Sequence, residues 1–232
     1  MQDLFIALDF HREEELWDFL KPFKGERLAL KIGMSQFYMS GPDIVKRLSE
    51  EGHKIFLDLK CHDIPNTVYL ALYQLSHLPV DIVTVHALGG SEMLKAAVKG
   101  SQEGPFRPDV FAITQLTSTN QTCLNEELAI PGSVAESVSH LTELALSSGI
   151  HGVVSSVREV PEIKKLSDGK LKSLTPGIRL ASSVKDDQAR VSTPEEARQA
   201  GSDFIVVGRP ITQSADPLNT YHAFLKAFKG EK

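Results

Sequence analysis

A repeated alternation constrains this chain more than any other feature. Short runs rich in Val, Ile and Leu recur at 4–9, 28–33, 54–60, 81–87, 110–116, 152–156, 172–175 and 204–208. Between them lie amphipathic stretches at 13–20, 42–51, 67–76, 91–98, 134–148, 159–166 and 194–200, and a last one at 217–228 follows the eighth run. Most of the runs are almost continuously apolar, as strands buried on both faces are. Such strands belong to parallel sheets covered by helices, so the pattern predicts an α/β fold. Eight strand–helix repeats predict a single (β/α)8 TIM barrel over 1–232; a doubly wound open sheet is the rival. No linker, low-complexity block or sequence repeat marks a domain boundary.

Bulk properties narrow the function classes. The formal net charge is −5, which offers no global attraction for nucleic acid or a membrane surface. No apolar run approaches membrane-spanning length. The start, Met1 to Ile6, has no basic segment before its apolar residues and reads as a first strand, not a signal peptide. Cys61 and Cys123 form no CxxC pair, so a disulfide framework is not expected. The chain reads as a soluble protein of a reducing, cytoplasmic compartment.

Polar residues gather where the apolar runs end. Asp9 ends the first, Lys31 lies near the end of the second, and Asp58 and Lys60 end the third, with Asp63 just beyond. His86 ends the fourth, Thr117 follows the fifth, and Gly208-Arg209 ends the eighth. In a barrel these positions converge on the C-terminal mouth, where active sites of this fold lie. Alternation along a strand puts Asp58 and Lys60 on one side. Two carboxylates and an ammonium so close are costly in a core. They are useful where charge develops during a reaction.

Two segments suit a phosphate. Thr175-Pro176-Gly177-Ile178-Arg179 follows the seventh run, and Val207-Gly208-Arg209-Pro210 the eighth. Loops after strands seven and eight often bind phosphate in such barrels. Glycine lets backbone N–H groups approach an anion, and arginine offers a bidentate donor. The polar stretch 180–189 between them, with Gln188, reads as a lid that meets the ligand on closure.

These residues resemble the orotidine 5′-phosphate decarboxylase family of bacterial type. The matching pieces are Ala7-Leu8-Asp9, Leu30-Lys31-Ile32-Gly33, the run Phe56 to Thr67, Val85-His86-Ala87 and Thr114 to Ser118, then Thr175 to Arg179, Asp187-Gln188 and Ile205 to Arg209. They occur in family order across nearly the whole chain. The resemblance implies a homodimeric barrel that converts orotidine 5′-phosphate to UMP and carbon dioxide, with no metal or organic cofactor. It makes Lys60 the proton donor to C6 of the pyrimidine and sets Asp58 beside the substrate carboxylate. Lys31 and Asp63 complete an alternating charge network. Asp63, Ile64 and Thr67 reach into the partner subunit's site. Asp9 and Lys31 bind ribose hydroxyls, Thr117 the pyrimidine, and Gln188, Gly208, Arg209 and Arg179 the phosphate, with Pro176 beside them. Cys61 stands where a larger apolar residue is expected. Pro210 lacks an N–H, so no backbone donor comes from that position.

Other chemistries fit less well. The eight histidines show no metal-ligand spacing. His86 reads as a hydrogen-bonded residue lining the site, His62 as an outlying one, Cys61 as a packing residue, and Phe37-Tyr38 as core or interface packing. The D-x-K-x-x-D-I segment is shared with a sugar-phosphate branch of the same superfamily. There a glutamate ends the second strand and helps bind magnesium, where this chain has Lys31. A catalytically silent nucleotide-binding barrel is the remaining alternative.

Overall fold

A computed structural model of the chain describes residues 3–180 and 192–231. Each apolar run forms a strand: β1 (Asp3–Ala7), β2 (Ala29–Gly33), β3 (Lys54–Cys61), β4 (Ile82–His86), β5 (Asp109–Ile113), β6 (Gly152–Val154), β7 (Lys172–Thr175) and β8 (Phe204–Val207). Every neighbouring pair is parallel, and β1 pairs with β8, so the sheet closes into a barrel in sequence order. Closure decides against the open sheet. The helices are α1 (Glu13–Leu20), α2 (Met34–Glu50), α3 (Pro65–Leu75), α4 (Gly90–Ser101), α5 (Val134–Ser147), α6 (Val160–Leu166), α7 (Pro194–Ala200), the short α8 (Arg209–Thr212) and α9 (Pro217–Lys229).

Alternate residues of each strand divide the apolar material in two. Leu4, Ile6, Leu30, Ile55 and Val83 face outward into the large core under the helices. Phe5, Ala29, Phe56, Ile82 and Phe111 face inward. Below the cavity the inward layer of side chains is largely aromatic. Phe5 packs edge-on against Phe56 at 5.5 Å and against Phe204 at 5.7 Å between ring centroids. Toward the mouth they become smaller: Ala7, Ile113, Val154, Leu174 and Val206. The aromatic layer plugs the barrel, and the smaller layer leaves room above it for a site.

Helix ends follow local chemistry. Ser133 and Glu136 form a reciprocal capping box on α5, and Thr193 with Glu196 does the same on α7. The predicted helix at 42–51 begins earlier, at Met34. Gly41, at φ 63° and ψ −162°, breaks it before Pro42. The residue before proline disfavours helical backbone, and glycine alone takes this conformation freely. The sequence pattern thus shows only the second half. Phe37 packs against the core, whereas Tyr38 is exposed. Among the described residues no helix is long and apolar enough to cross a membrane.

Candidate active site

The strand ends enclose a cavity of about 620 Å³ at the barrel mouth. Its wall includes Asp9, Lys31, Asp58, Lys60, Thr117, Pro176, Gly177, Arg179, Gly208 and Arg209. Ala7, Phe56, Ile113, Val154, Leu174 and Val206 contribute its apolar side. The residues expected at six strand ends, all but the fourth and the sixth, therefore meet in one place.

Four of them form a linear chain of alternating charge. Lys31 Nζ lies 3.4 Å from Asp9 Oδ1 and 3.4 Å from Asp58 Oδ2, and Lys60 Nζ lies 2.8 Å from the same Asp58 oxygen. Asp58 is only 6% exposed. Burial pushes its carboxyl up, but the Lys31 and Lys60 ammonium groups and hydrogen bonds from Lys60 and Thr84 outweigh this. The group stays below the usual carboxylate range. Gly33 keeps the channel open, because a Cβ there would stand 2.9 Å from Asp9 Oδ1 and 3.2 Å from Lys31 Nζ.

Lys60 does not reach Asp58 by simple strand alternation. Leu57 pairs with Val83 but Cys61 pairs with Val85, so β3 carries two extra residues opposite Thr84. Lys60 absorbs the excess with φ 52°, a left-handed backbone that a lysine rarely adopts. Strain of this kind gathers where a fold fixes a functional group. Lys60 N donates to Thr84 Oγ1 at 2.9 Å, and Thr84 Oγ1 donates to Asp58 Oδ1 at 2.9 Å. Sequence reasoning missed Thr84. The available signal was one hydroxyl in the middle of an otherwise apolar buried strand.

The phosphate-type loops also reach the cavity. Gly177 takes φ 79°, which turns the chain after β7. Arg179 is buried, and its Nη1 donates to the Ile178 carbonyl at 2.9 Å. Arg179 N donates to the Ser192 carbonyl at 2.9 Å, and Ser192 N to the Gly177 carbonyl at 3.2 Å. This clasp joins the two ends of the segment expected to be a lid. Gln188 and residues 181–189 of that segment lie outside the described residues. Gly208 caps α8, whose first residue is Arg209.

Asp63, Ile64 and Thr67 stand apart from the cavity. All three are exposed, Ile64 to 66%. Asp63 Oδ1 accepts from Ile64 N at 2.6 Å. Among the described residues of the chain the charge network thus has four members, and Asp63 is not one of them. His86 lies beside the cavity instead of lining it. Its Nδ1 accepts from Leu88 N at 3.4 Å, and its ring stacks on His62 at 5.5 Å. Burial, His62 and Lys60 together push His86 down from 6.5 to about 4. Cys61 packs against the outer core, and burial pushes its thiol up, away from nucleophilic character. Gln115 and Ser155 also line the cavity without having been singled out; Gln115 Nε2 is tied to Ser137 Oγ at 3.0 Å. Among the described residues no group of three or more His, Cys, Asp or Glu gathers as a metal-ligand set.

A closed barrel with a lysine–carboxylate chain centred on the buried Asp58, and with two arginine-bearing segments at its mouth, defines a (β/α)8 enzyme acting on a small molecule. Within that class, the chain belongs to the orotidine 5′-phosphate decarboxylase / HUMPS family, whose model matches residues 2–224. The orotidine 5′-phosphate decarboxylase of Bacillus mycoides is 48% identical over 233 residues, covering 99% of this chain and 98% of that protein. The enzyme of the same name from Bacillus anthracis gives the same figures. The crystal structure of orotidine 5′-phosphate decarboxylase from Lactobacillus acidophilus is 40% identical with a TM-score of 0.88, covering 98% of this chain and 99% of that one. The Pyrococcus horikoshii structure of that name has a TM-score of 0.77 at 24% identity, a likeness of fold, covering 98% of this chain and 99% of that one.

Proposed function

We propose that this chain decarboxylates orotidine 5′-phosphate to UMP and carbon dioxide, the closing step of pyrimidine nucleotide synthesis, with Lys60 as the proton donor and without a cofactor. One observation carries the reading: the Asp9–Lys31–Asp58–Lys60 chain lines the same cavity as Arg179 and Arg209. The names of relatives at 48% identity over almost the whole length supply the substrate.

The chemistry needs such a cluster. Breaking the bond from C6 to the carboxylate leaves its electron pair on C6, in an orbital the ring cannot delocalise. Carbon dioxide departs, and a proton must reach C6. Lys60 places a fixed cation beside that carbon and then gives up the proton. The Asp58 carboxylate, kept ionised by Lys31 and Lys60, stands near the substrate carboxylate, and their repulsion falls as carbon dioxide leaves. Two unit charges ~4 Å apart at an effective dielectric of ~20 interact by roughly 4 kcal/mol. Enzymes lower barriers by up to ~20 kcal/mol. Repulsion therefore cannot be the main term. Stabilisation of the carbanion by Lys60 must add to it, as must binding energy from the phosphate held by Arg209, Arg179, Gly208 and Gln188. Asp9 and Lys31 take the ribose hydroxyls, Thr117 the pyrimidine, and Pro176 shapes the wall between.

The reading takes 1–232 as one barrel domain acting as a homodimer in the cytoplasm. The exposure of Asp63, Ile64 and Thr67 supports their service to the partner's site. The sugar-phosphate branch of the family would require a divalent cation at these carboxylates. Lys31, 3.4 Å from Asp58, already holds a positive charge there and opposes one.

The test follows the ultraviolet absorbance of orotidine 5′-phosphate with purified protein and excess EDTA, with Lys60→Ala alongside. Chelator-resistant loss in the unmutated protein only is expected. Loss abolished by EDTA would favour the metal-dependent branch. Tight UMP binding with no loss would leave a silent nucleotide binder.

A further inference from the structure

Thr84 ties the two halves of the charged pair together. It is wholly buried in the middle of β4, with Val83 and Val85 on either side pointing into the outer core. A hydroxyl has one proton to give. Because Thr84 Oγ1 accepts from the Lys60 amide at 2.9 Å, its own proton goes to Asp58 Oδ1, also at 2.9 Å. The two-residue excess in β3 takes the Lys60 amide out of the regular ladder, and a buried amide without a partner is costly. Thr84 supplies that partner while fixing which Asp58 oxygen faces Lys60 and Lys31. Oδ1 is held by Thr84, so Oδ2 is left for the two ammonium groups.

We propose that Thr84 is a positioning residue for decarboxylation: its hydroxyl holds Lys60 in the left-handed backbone conformation and orients Asp58, so that ammonium and carboxylate are presented to substrate as a preset pair. The proposal rests on the roles given above to Lys60 and Asp58. Pre-set electrostatics help a reaction because nothing has to reorganise as charge moves. Without the Thr84 link, Lys60 relaxes toward ordinary backbone, and its ammonium leaves the place where the carbanion forms.

The experiment compares Thr84→Val, which keeps the shape and removes the hydroxyl, with Thr84→Ser, which keeps the hydroxyl. For Thr84→Val, kcat should fall about tenfold to a hundredfold, the loss expected for a hydrogen bond to a charged group. KM should hardly change, since no contact with substrate is removed. Thr84→Ser should recover most of the rate. A second readout is independent of turnover: the carboxyl-carbon resonance of Asp58, assigned by its loss in Asp58→Asn and followed against pH. Lys31 on β2, Asp9 behind it on β1, Lys60 on β3 and His86 at the end of β4 are common to all variants. Loss of the Thr84 donor should therefore move the Asp58 titration upward in Thr84→Val and leave it in place in Thr84→Ser. If valine prevents folding, Thr84→Cys, with a weak S–H donor, should show the same lowered kcat at near-constant KM. Full kcat in Thr84→Val, failure of serine to restore it, or an unmoved Asp58 titration overturns the proposal. Unmutated protein inactive on orotidine 5′-phosphate would sink the functional reading instead, and the carboxyl titration would still decide whether the Thr84 link exists.

Discussion

Lys60 Nζ stands 2.8 Å from Asp58 Oδ2, two residues away on the same strand, although Lys60 is at φ 52° and the strand between them is bulged. A regular strand would also put both side chains on one face. The bulge aims the lysine while the buried carboxylate keeps its place. Lys60→Ala should reduce turnover by at least about the 10²–10⁴-fold expected for loss of a general acid, because the fixed cation is lost as well. Lys31 remains 3.4 Å from Asp58, so the buried carboxylate keeps a counter-charge and the fold should survive. Steady-state rates beside circular dichroism check this; near-normal turnover by a folded Lys60→Ala would remove the lysine from the chemistry.

His86 gives a pH prediction about stability. In the folded chain it is held down to about 4 from 6.5, by burial first and then by His62 and Lys60. The unfolded chain takes up the proton near 6.5, whereas the folded chain does so only near 4. Stability is therefore full above pH 6.5 and declines as pH falls toward 4, where the unfolded state binds more protons. His53, also pushed down by burial, adds to the same slope. His86→Asn should lessen the decline without abolishing it. Urea midpoints measured across this range decide the matter, and an unchanged slope would mean that His86 does not titrate as its surroundings require.

The sequence showed the barrel because its strands are buried on both faces. Residues 172–175 form a strand over the bounds expected from the apolar run, and 13–20 a helix over those expected. Strand ends were harder. The run at 4–9 stops as a strand at Ala7, although Leu8 N still donates to the Lys31 carbonyl at 3.0 Å, and Asp9 lies just beyond on the cavity wall. The charged residues of the cavity could be read since they break apolar runs at or near their C-terminal ends, whereas Asp63, read with them, stands apart. Thr84 could not, because its role depends on register. Nothing in the residues 57–61 announces a bulge, and only the bulge turns a mid-strand hydroxyl into a bridge between Asp58 and Lys60. The Gly41–Pro42 break hid the first half of α2 for a similar reason: punctuation in sequence marks a bend and does not show that helix lies on both sides.

Gly152 tests the packing beneath the site. A Cβ there would come within 2.5 Å of Phe111 Cζ and 2.8 Å of the Lys172 carbonyl. The Phe111 ring belongs to the aromatic plug and packs against Phe204 at 6.1 Å, so it has little freedom to yield. Overpacking of this sort costs about 1–3 kcal/mol. Gly152→Ala should lower Tm by roughly 2–10 °C on the scale of a chain this size. An unchanged Tm in differential scanning calorimetry would show that the plug is looser than its ring contacts indicate.

Arg209 separates phosphate binding from chemistry. It follows Gly208 at the start of α8, on the loop after β8, and lines the cavity together with Lys60. An arginine–phosphate pair is charge-assisted, and its loss costs about 1.5–3 kcal/mol. Arg209→Ala should therefore lower kcat/KM for orotidine 5′-phosphate about tenfold to a hundredfold, with a large part of the loss in KM. The decisive comparison is orotidine without its phosphate. That substrate has no group for Arg209 to hold, so wild type and Arg209→Ala should process it at the same slow rate. An equal loss on both substrates would give the arginine a structural or chemical role. An unchanged KM and kcat for the phosphorylated substrate would take it out of the site altogether.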